Sequence, residues 1–150
     1  MGAEPGADEQ DRRDERLRAA ISGAGHLSRR LFQLHGRRWQ DRVQELTGPQ
    51  FTTLGVLDLE GPMDQRTLGA HARLDKSTTT PLLERLQQRG LVEIVGDAVD
   101  RRRKVLRITP AGSELVHRIA PIATEVGDEM LAPLSESERA AFLSYLERIC

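Results

Sequence analysis

The chain has 150 residues, 38% hydrophobic and 30% charged, with 22 Lys/Arg against 23 Asp/Glu and a net charge of −1. That length suits one domain with a real core; the single cysteine excludes an internal disulfide or a cysteine-built metal centre, and no apolar run approaches the ~20 residues of a membrane span. The acidic opening MGAEPGADEQDRRDE lacks the apolar stretch of a secretory signal, so the chain is expected to be cytoplasmic.

Residues 1–10 hold few apolar groups, two glycines and a proline, and are expected to be disordered. From Asp11 to Leu46 the positions Leu17, Ile21, Ala24, Leu31, Phe32, His35, Trp39, Val43 and Leu46 recur mostly at spacings of three or four, the helical period. They predict one long helix, with Gly23–Gly25 as the place for a kink. A helix of that length in a small protein calls for a partner, such as the same helix of a second copy. Thr47-Gly48-Pro49 ends it and starts a short helix, Gln50 to Leu59, with Phe51, Leu54, Val56, Leu57 and Leu59 facing inward. Gly61-Pro62 breaks that helix. Asp64 caps a helix to about Arg73, Leu74-Asp75 forms a turn, and Asp75 or Ser77 caps the next helix, which stops at Gly90. Pro81 lies close enough to the start of this helix to be tolerated. Leu91–Val95 and Lys104–Ile108 are β-rich runs of strand length, joined by Gly96 to Arg103 as a hairpin. Thr109-Pro110 opens a long helix that Pro121 is placed to kink and Pro133 to end, and Ser135 with Glu138 makes a capping box for a last helix through Ile149. The fold class is therefore mainly α with a small β-hairpin wing. Residues 47–110 form a winged helix-turn-helix lobe, between helical regions at 11–46 and 111–150.

Charge is distributed unevenly. Residues 71–110 carry nine Lys/Arg against five Asp/Glu, whereas residues 1–70 carry ten against eleven and residues 111–150 three against seven. The basic segment coincides with the helix-turn-helix and hairpin, the electrostatic footprint of a nucleic-acid-binding face. Its second helix opens Lys76-Ser77-Thr78-Thr79-Thr80, short hydroxylated side chains and a cation that suit phosphates and base edges; Arg85 follows on the wet side. Alone, that turn reads equally well as a solvated threonine-rich start. The run Asp100-Arg101-Arg102-Arg103-Lys104 tips the balance, because four consecutive cations repel one another and add nothing to a core. An arginine there can enter a minor groove, with Asp100 orienting it through a paired hydrogen bond.

These residues carry a resemblance. Leu74-Asp75-Lys76-Ser77-Thr78, followed by Leu86-x-x-x-Gly90-Leu91-Val92, is similar to the helix-turn-helix of the MarR family of bacterial regulators. Asp100-x-Arg102-x-x-x-Leu106-x-Ile108-Thr109-x-x-Gly112 resembles that family's wing signature, with Ile108 where leucine is usual. The resemblance covers about residues 15–148. It implies a homodimer joined through the first and last helices, making 11–46 and 111–150 a dimerisation region, on a pseudo-palindromic double-stranded DNA operator. By position, Arg102 would be the minor-groove arginine, Asp100 its partner, and Lys76 to Thr80 would face the major groove.

The resemblance also implies a small effector, often phenolic or acidic, held between the dimer helices and the DNA-binding lobe. Candidates are Arg29 for a carboxylate, His35 for a phenol and Trp39 for a stacked ring; the plainer readings are a surface cation, a satisfied interface histidine and a core tryptophan. Arg29-x5-His35 together with Asp64-Gln65-x-Thr67-Leu68-Gly69 and Leu74-Asp75-Lys76-Ser77-Thr78 resembles the branch responding to aromatic acids. Thr80-Pro81-Leu82-Leu83 resembles hydroperoxide-sensing members, but those use a cysteine in the first helix and Cys150 is last in this chain. No nucleophile triad or phosphate loop is present and His26, His35, His71 and His117 are scattered, so no catalytic residue, cofactor or metal ligand is expected. The expectation is a homodimeric, ligand-responsive repressor released from DNA by a small aromatic or phenolic acid. The alternatives are a redox-responsive regulator of the same fold and a winged-helix protein-interaction module.

Overall fold

In the computed structural model, which describes residues 7–97, 99–100 and 104–150, the N-terminal region is two helices rather than one. α1 (Ala7–Ser22) and α2 (Ala24–Arg42) are separated at Gly23, where an added Cβ would stand 3.0 Å from the Ala19 carbonyl oxygen. Glycine concentrates the expected kink into a break. The helix also starts earlier than composition suggested: Ala7 to Gln10, placed in the disordered lead-in above, belong to α1, where Arg13 pairs with Glu9 at 2.7 Å one turn back. The chain divides into two compact units with the boundary between Arg38 and Trp39. In the first, Leu17, Ile21, Leu27 and Phe32 stand exposed on the single chain, Phe32 by 75%.

The second unit begins with the end of α2 and continues into α3 (Gly48–Glu60). Thr47 caps α3 reciprocally: its N–H donates to Gln50 Oε1 at 3.0 Å, and Gln50 N–H donates to its hydroxyl at 3.4 Å. Leu54 and Leu57 are buried and Phe51 and Val56 pack against them, but Leu59 is 81% exposed, contrary to expectation. At 3.6 residues per turn it points away from the face that carries Thr53, Leu54 and Leu57, while Asp58 beside it meets His117 at 2.8 Å. α4 (Gln65–His71) is capped by the Asp64 carboxylate, which accepts Thr67 N–H at 2.9 Å. α5 (Lys76–Gln88) follows, and Gly90 in the left-handed region (φ +67) reverses the chain after it. With Asp75 as the cap, Pro81 lies in the interior of α5 rather than in the first turn, where a missing N–H costs little, and the Ser77 carbonyl loses the i+4 donor it would otherwise have.

β1 (Val92–Gly96) and β2 (Lys104–Ile108) pair antiparallel from Val92↔Ile108 to Gly96↔Lys104, and Met63 adds a short bridge to Leu106. α6 (Pro110–Leu131) runs through Pro121 without ending, and α7 (Glu136–Ile149) starts where Ser135 N–H meets Glu138 Oε2 at 2.8 Å. One core joins α3, α4, α5, the hairpin and α6: Leu54 and Leu57, Leu68, Leu82, Leu83 and Leu86, Leu106, and Leu115, Val116 and Ile119. Burying some ten such side chains at about 1.5–3 kcal/mol each is what holds the short α4 in place, since seven residues form no stable helix alone.

The tightest approach is between α6 and the start of the hairpin. Thr109 N–H donates to the Leu91 carbonyl at 3.0 Å, its hydroxyl donates to the Gly90 carbonyl at 2.7 Å, and the same hydroxyl accepts Gly112 N–H at 3.1 Å. A Cβ on Gly112 would lie 2.3 Å from the Leu91 oxygen and 2.8 Å from Ile108 Cγ1. Both are backbone or core neighbours with nowhere to go. Gly112→Ala should therefore cost about 3 kcal/mol, the upper part of the range for overpacking, read as a lower midpoint in thermal denaturation; an unchanged midpoint would contradict the close approach.

Candidate nucleic-acid interface

The first turn of α5 is organised by Asp75. Its carboxylate accepts Thr78 N–H at 2.8 Å, the Ser77 hydroxyl and the Thr78 hydroxyl at 3.1 Å. The Ser77 hydroxyl first, then the Thr78 N–H, stabilise its charged form and lower its pKa below the usual carboxylate value. The cap fixes where Ser77 and Thr78 stand and cancels part of the positive end of the helix. Lys76, Ser77, Thr78 and Thr80 are exposed, as expected of a DNA-reading turn. Thr79 is not: it is 2% exposed, donates its hydroxyl to the Asp75 carbonyl at 2.7 Å and packs 3.3 Å from the space a Cβ on Gly69 would take. Its place is structural, because at 3.6 residues per turn it falls with Leu82, Leu83 and Leu86 on the buried stripe.

The outward stripe of α5 runs Ser77, Pro81, Glu84 and Gln88, flanked by Lys76 and Thr80 on one side and Thr78 and Arg85 on the other. Thr78, Pro81 and Arg85 border a cleft of about 250 Å³ shared with the cap residue Thr47 and with Pro49 and Gln50 of α3. Lys76 and Thr80 border a larger one, about 600 Å³, with Gln65, Arg66, Gly69 and Ala70 of α4 and Leu74 of the turn. Gln65 Nε2 donates to the Thr80 hydroxyl at 2.8 Å and so joins the two helices at their exposed edge. Arg66 is a cation that sequence reasoning missed. The available signal was its place in the first exposed turn of the helix before the recognition helix, two residues past a cap. The turn itself places Arg73 at φ +54, and its guanidinium donates to the Cys150 carbonyl at 2.9 Å.

The hairpin ladder closes at Gly96↔Lys104. In the connection beyond it, Asp97 Oδ1 accepts the N–H groups of Val99 and Asp100 at 2.7 and 3.2 Å, and the Asp100 side chain is exposed. Arg101, Arg102 and Arg103 lie outside the described residues. Farther down the ribbon Arg107 and Glu93 face each other across the register at 3.7 Å.

The three effector candidates fall in different units. Arg29 is exposed and His35 half-buried in the first unit. Trp39 opens the second, where it is 5% exposed, its ring centroid is 5.3 Å from that of Phe51, and its indole N–H donates to the Leu46 carbonyl at 2.7 Å. A ligand could therefore meet only the ring of Trp39, not its donor. Among the described residues no cluster of His, Cys, Asp and Glu is arranged to hold a metal ion, and no helix is long and apolar enough to cross a membrane.

Comparison with known proteins bears directly on this arrangement. The transcriptional repressor NicR of Pseudomonas putida is 32% identical over 127 residues, 83% of this chain and 80% of its own length. This chain belongs to the MarR family. The family model, described as MarR family, matches residues 44–103, the stretch from the loop before α3 into the hairpin connection. As a MarR-family chain it also resembles the solved structure of the PcaV transcriptional regulator of Streptomyces coelicolor in complex with its natural ligand (35% identity, TM-score 0.79, 99% of this chain and 96% of that one). It resembles BpsR of Bordetella bronchiseptica as well (29% identity, TM-score 0.81, 86% and 94%), whose DNA binding is regulated by 6-hydroxynicotinic acid. The winged-helix fold and the assignment as a transcriptional regulator follow.

The Asp75 cap has a pH signature. A carboxyl whose folded pKa lies below its unfolded value stabilises the fold above the unfolded value, and that stabilisation is lost as pH falls through the folded pKa. Asp75→Ala should melt below the native protein at neutral pH, and the gap should narrow as pH drops below the ordinary carboxylate range. A gap independent of pH would show that the carboxylate's charge is not what holds the turn.

Proposed function

We propose that this protein is a homodimeric repressor that binds a pseudo-palindromic operator and is released by a small aromatic or phenolic acid. The observation that carries the DNA half is the exposed first turn of α5, with Lys76, Ser77, Thr78 and Thr80 presented around the Asp75 cap and Arg85 two turns on, on the same face as Thr78. Arg66 extends this cationic surface onto α4. Asp100 and Arg101–Arg103 supply the hairpin's share, with Arg102 in the minor groove and Asp100 orienting it. Pairing of two chains is supported by the apolar side chains left open on α1 and α2 and, separately, by Leu143, Tyr145 and Ile149 on α7. Two-fold pairing would set two recognition helices about 34 Å apart, one helical turn of DNA.

For the effector half, Arg29 is the carboxylate anchor, His35 the partner of a phenolic hydroxyl, and Trp39 a ring wall. The regulation of BpsR by 6-hydroxynicotinic acid supports that ligand class, and the name of NicR supports a repressor. Both halves have a direct test on a duplex recovered from a random library by repeated selection on the purified protein. Arg102→Ala should keep the dimer and weaken binding to that duplex by at least ~1 kcal/mol, as for a groove contact; undiminished affinity in a fluorescence anisotropy titration would remove Arg102 from the interface. In thermal-shift measurements with hydroxybenzoates and hydroxycinnamates, at least one compound should stabilise the native protein. Arg29→Ala should lose that stabilisation and the release of DNA by the same compound while binding DNA as before. Normal release from the variant would exclude Arg29 as the anchor.

A further inference from the structure

α4 and α5 pack closely where a Cβ on Gly69 would meet the Leu74 carbonyl and the Thr79 hydroxyl, each at 3.3 Å. Gln65 stands one turn before Gly69 on the same side of α4, so its side chain reaches the residue after Thr79. There its Nε2 donates to the Thr80 hydroxyl at 2.8 Å. That hydroxyl has a single proton, which goes to the Lys76 carbonyl at 3.2 Å. Thr80 therefore accepts from Gln65, and this sets the amide: its N–H side faces Thr80 and Oε1 is turned away. Gln65 is exposed, and among the described residues its Oε1 and second N–H take no partner. Arg66 and Lys76, both exposed, border the same cleft as this pair.

We propose that Gln65 reads an adenine in the major groove with its side-chain amide, and that Thr80 is the positioning residue that aims it. The inference rests on the reading of α5 as the DNA-reading helix, and adds to it a specificity determinant from the helix before. Chemistry selects the base. The outward Oε1 accepts and the remaining N–H donates, which complements the N6 amino group and N7 on the major-groove edge of adenine. Guanine offers the acceptors O6 and N7 there, so Oε1 would face a second acceptor. A phosphate also has only acceptors and would leave Oε1 unmatched, whereas Arg66 and Lys76 suit phosphates and would seat the DNA backbone beside the amide. Tethering a long, flexible side chain before DNA arrives removes part of the entropy its ordering would cost on binding. With its proton committed and one lone pair filled, Thr80 has little left to offer a base itself.

The test is selection from a random duplex library, carried out with the native protein and with Gln65→Ala, Gln65→Glu and Thr80→Val, followed by anisotropy titrations. Duplexes chosen by the native protein should share an adenine in each half-site whose replacement by guanine weakens binding about tenfold, the scale of a bidentate base contact. In Gln65→Ala the same replacement should change little. Gln65→Glu presents acceptors only and should select cytosine at that place, because its N4 amino group donates. Thr80→Val keeps the size of the side chain but cannot accept, and should lose most of the adenine preference although Gln65 is intact. Adding Gln65→Ala to it should cost little further, since both break the same contact. A selected site with no such adenine, or an equal guanine penalty in the native protein and Gln65→Ala, would overturn base reading by Gln65. So would a loss in Gln65→Ala that is uniform across duplexes, which would reduce the residue to a phosphate contact. Full adenine preference in Thr80→Val would overturn the positioning role. Failure of the native protein to select any duplex would instead overturn the DNA reading on which the inference stands.

Discussion

Thr109 is the joint on which the DNA-binding lobe turns. With one N–H and one hydroxyl it binds the carbonyls of Leu91 and Gly90 and receives the Gly112 N–H, so the end of α5, the start of β1, the end of β2 and the start of α6 meet at a single residue. None of these elements would hold its position alone. The two-stranded ribbon is too small to be stable in isolation, and the Gly90 reversal would otherwise leave carbonyls without partners at a point where Leu91 and Val92 are buried. Gly112 follows from the same geometry, since the first turn of α6 passes over Leu91 where no Cβ fits. The run Ile108-Thr109-x-x-Gly112 is thus a structural joint, while the charged residues just before it face outward.

That joint sets the hairpin against α5, and Asp75 sets the other end of α5. The two together leave the helix with a buried stripe of Thr79, Leu82, Leu83 and Leu86 and an exposed side rich in hydroxyls and cations. The helix lies over the core but does not lend its exposed side chains to it. Thr79 is the residue where they meet, spending its hydroxyl on the Asp75 carbonyl and its methyl on Gly69.

Much of this was legible in the sequence because it rests on local signals. Asp64 and Thr109 each cap the helix they were expected to cap, Asp75 is the one used of the two caps offered for α5, Gly90 reverses the chain where it should, and the strand pairing falls on the two β-rich runs. What the sequence did not yield depends on surroundings. A glycine pair in a periodic stretch looks the same whether it bends a helix or divides it, and here the helix divides at Gly23. Leu59 is apolar, but it stands on the opposite side of α3 from Leu54 and Leu57, so residue type suggested an inward place that the helical period denies it. Thr79 looked like its exposed companions because hydroxyl chemistry does not reveal which way a side chain faces. The backbone acceptor at Leu46 has no signature in residue type at all, since any residue has a carbonyl.

We propose that α5 and the hairpin present one cationic surface to duplex DNA, and a titration of the purified protein against the selected duplex at several salt concentrations tests this. Two chains should bind each duplex, and affinity should fall by roughly 10³-fold or more between about 50 and about 200 mM salt as counterions released from the phosphates become costlier to free. Binding that ignores salt, or a single chain saturating the duplex, would contradict it.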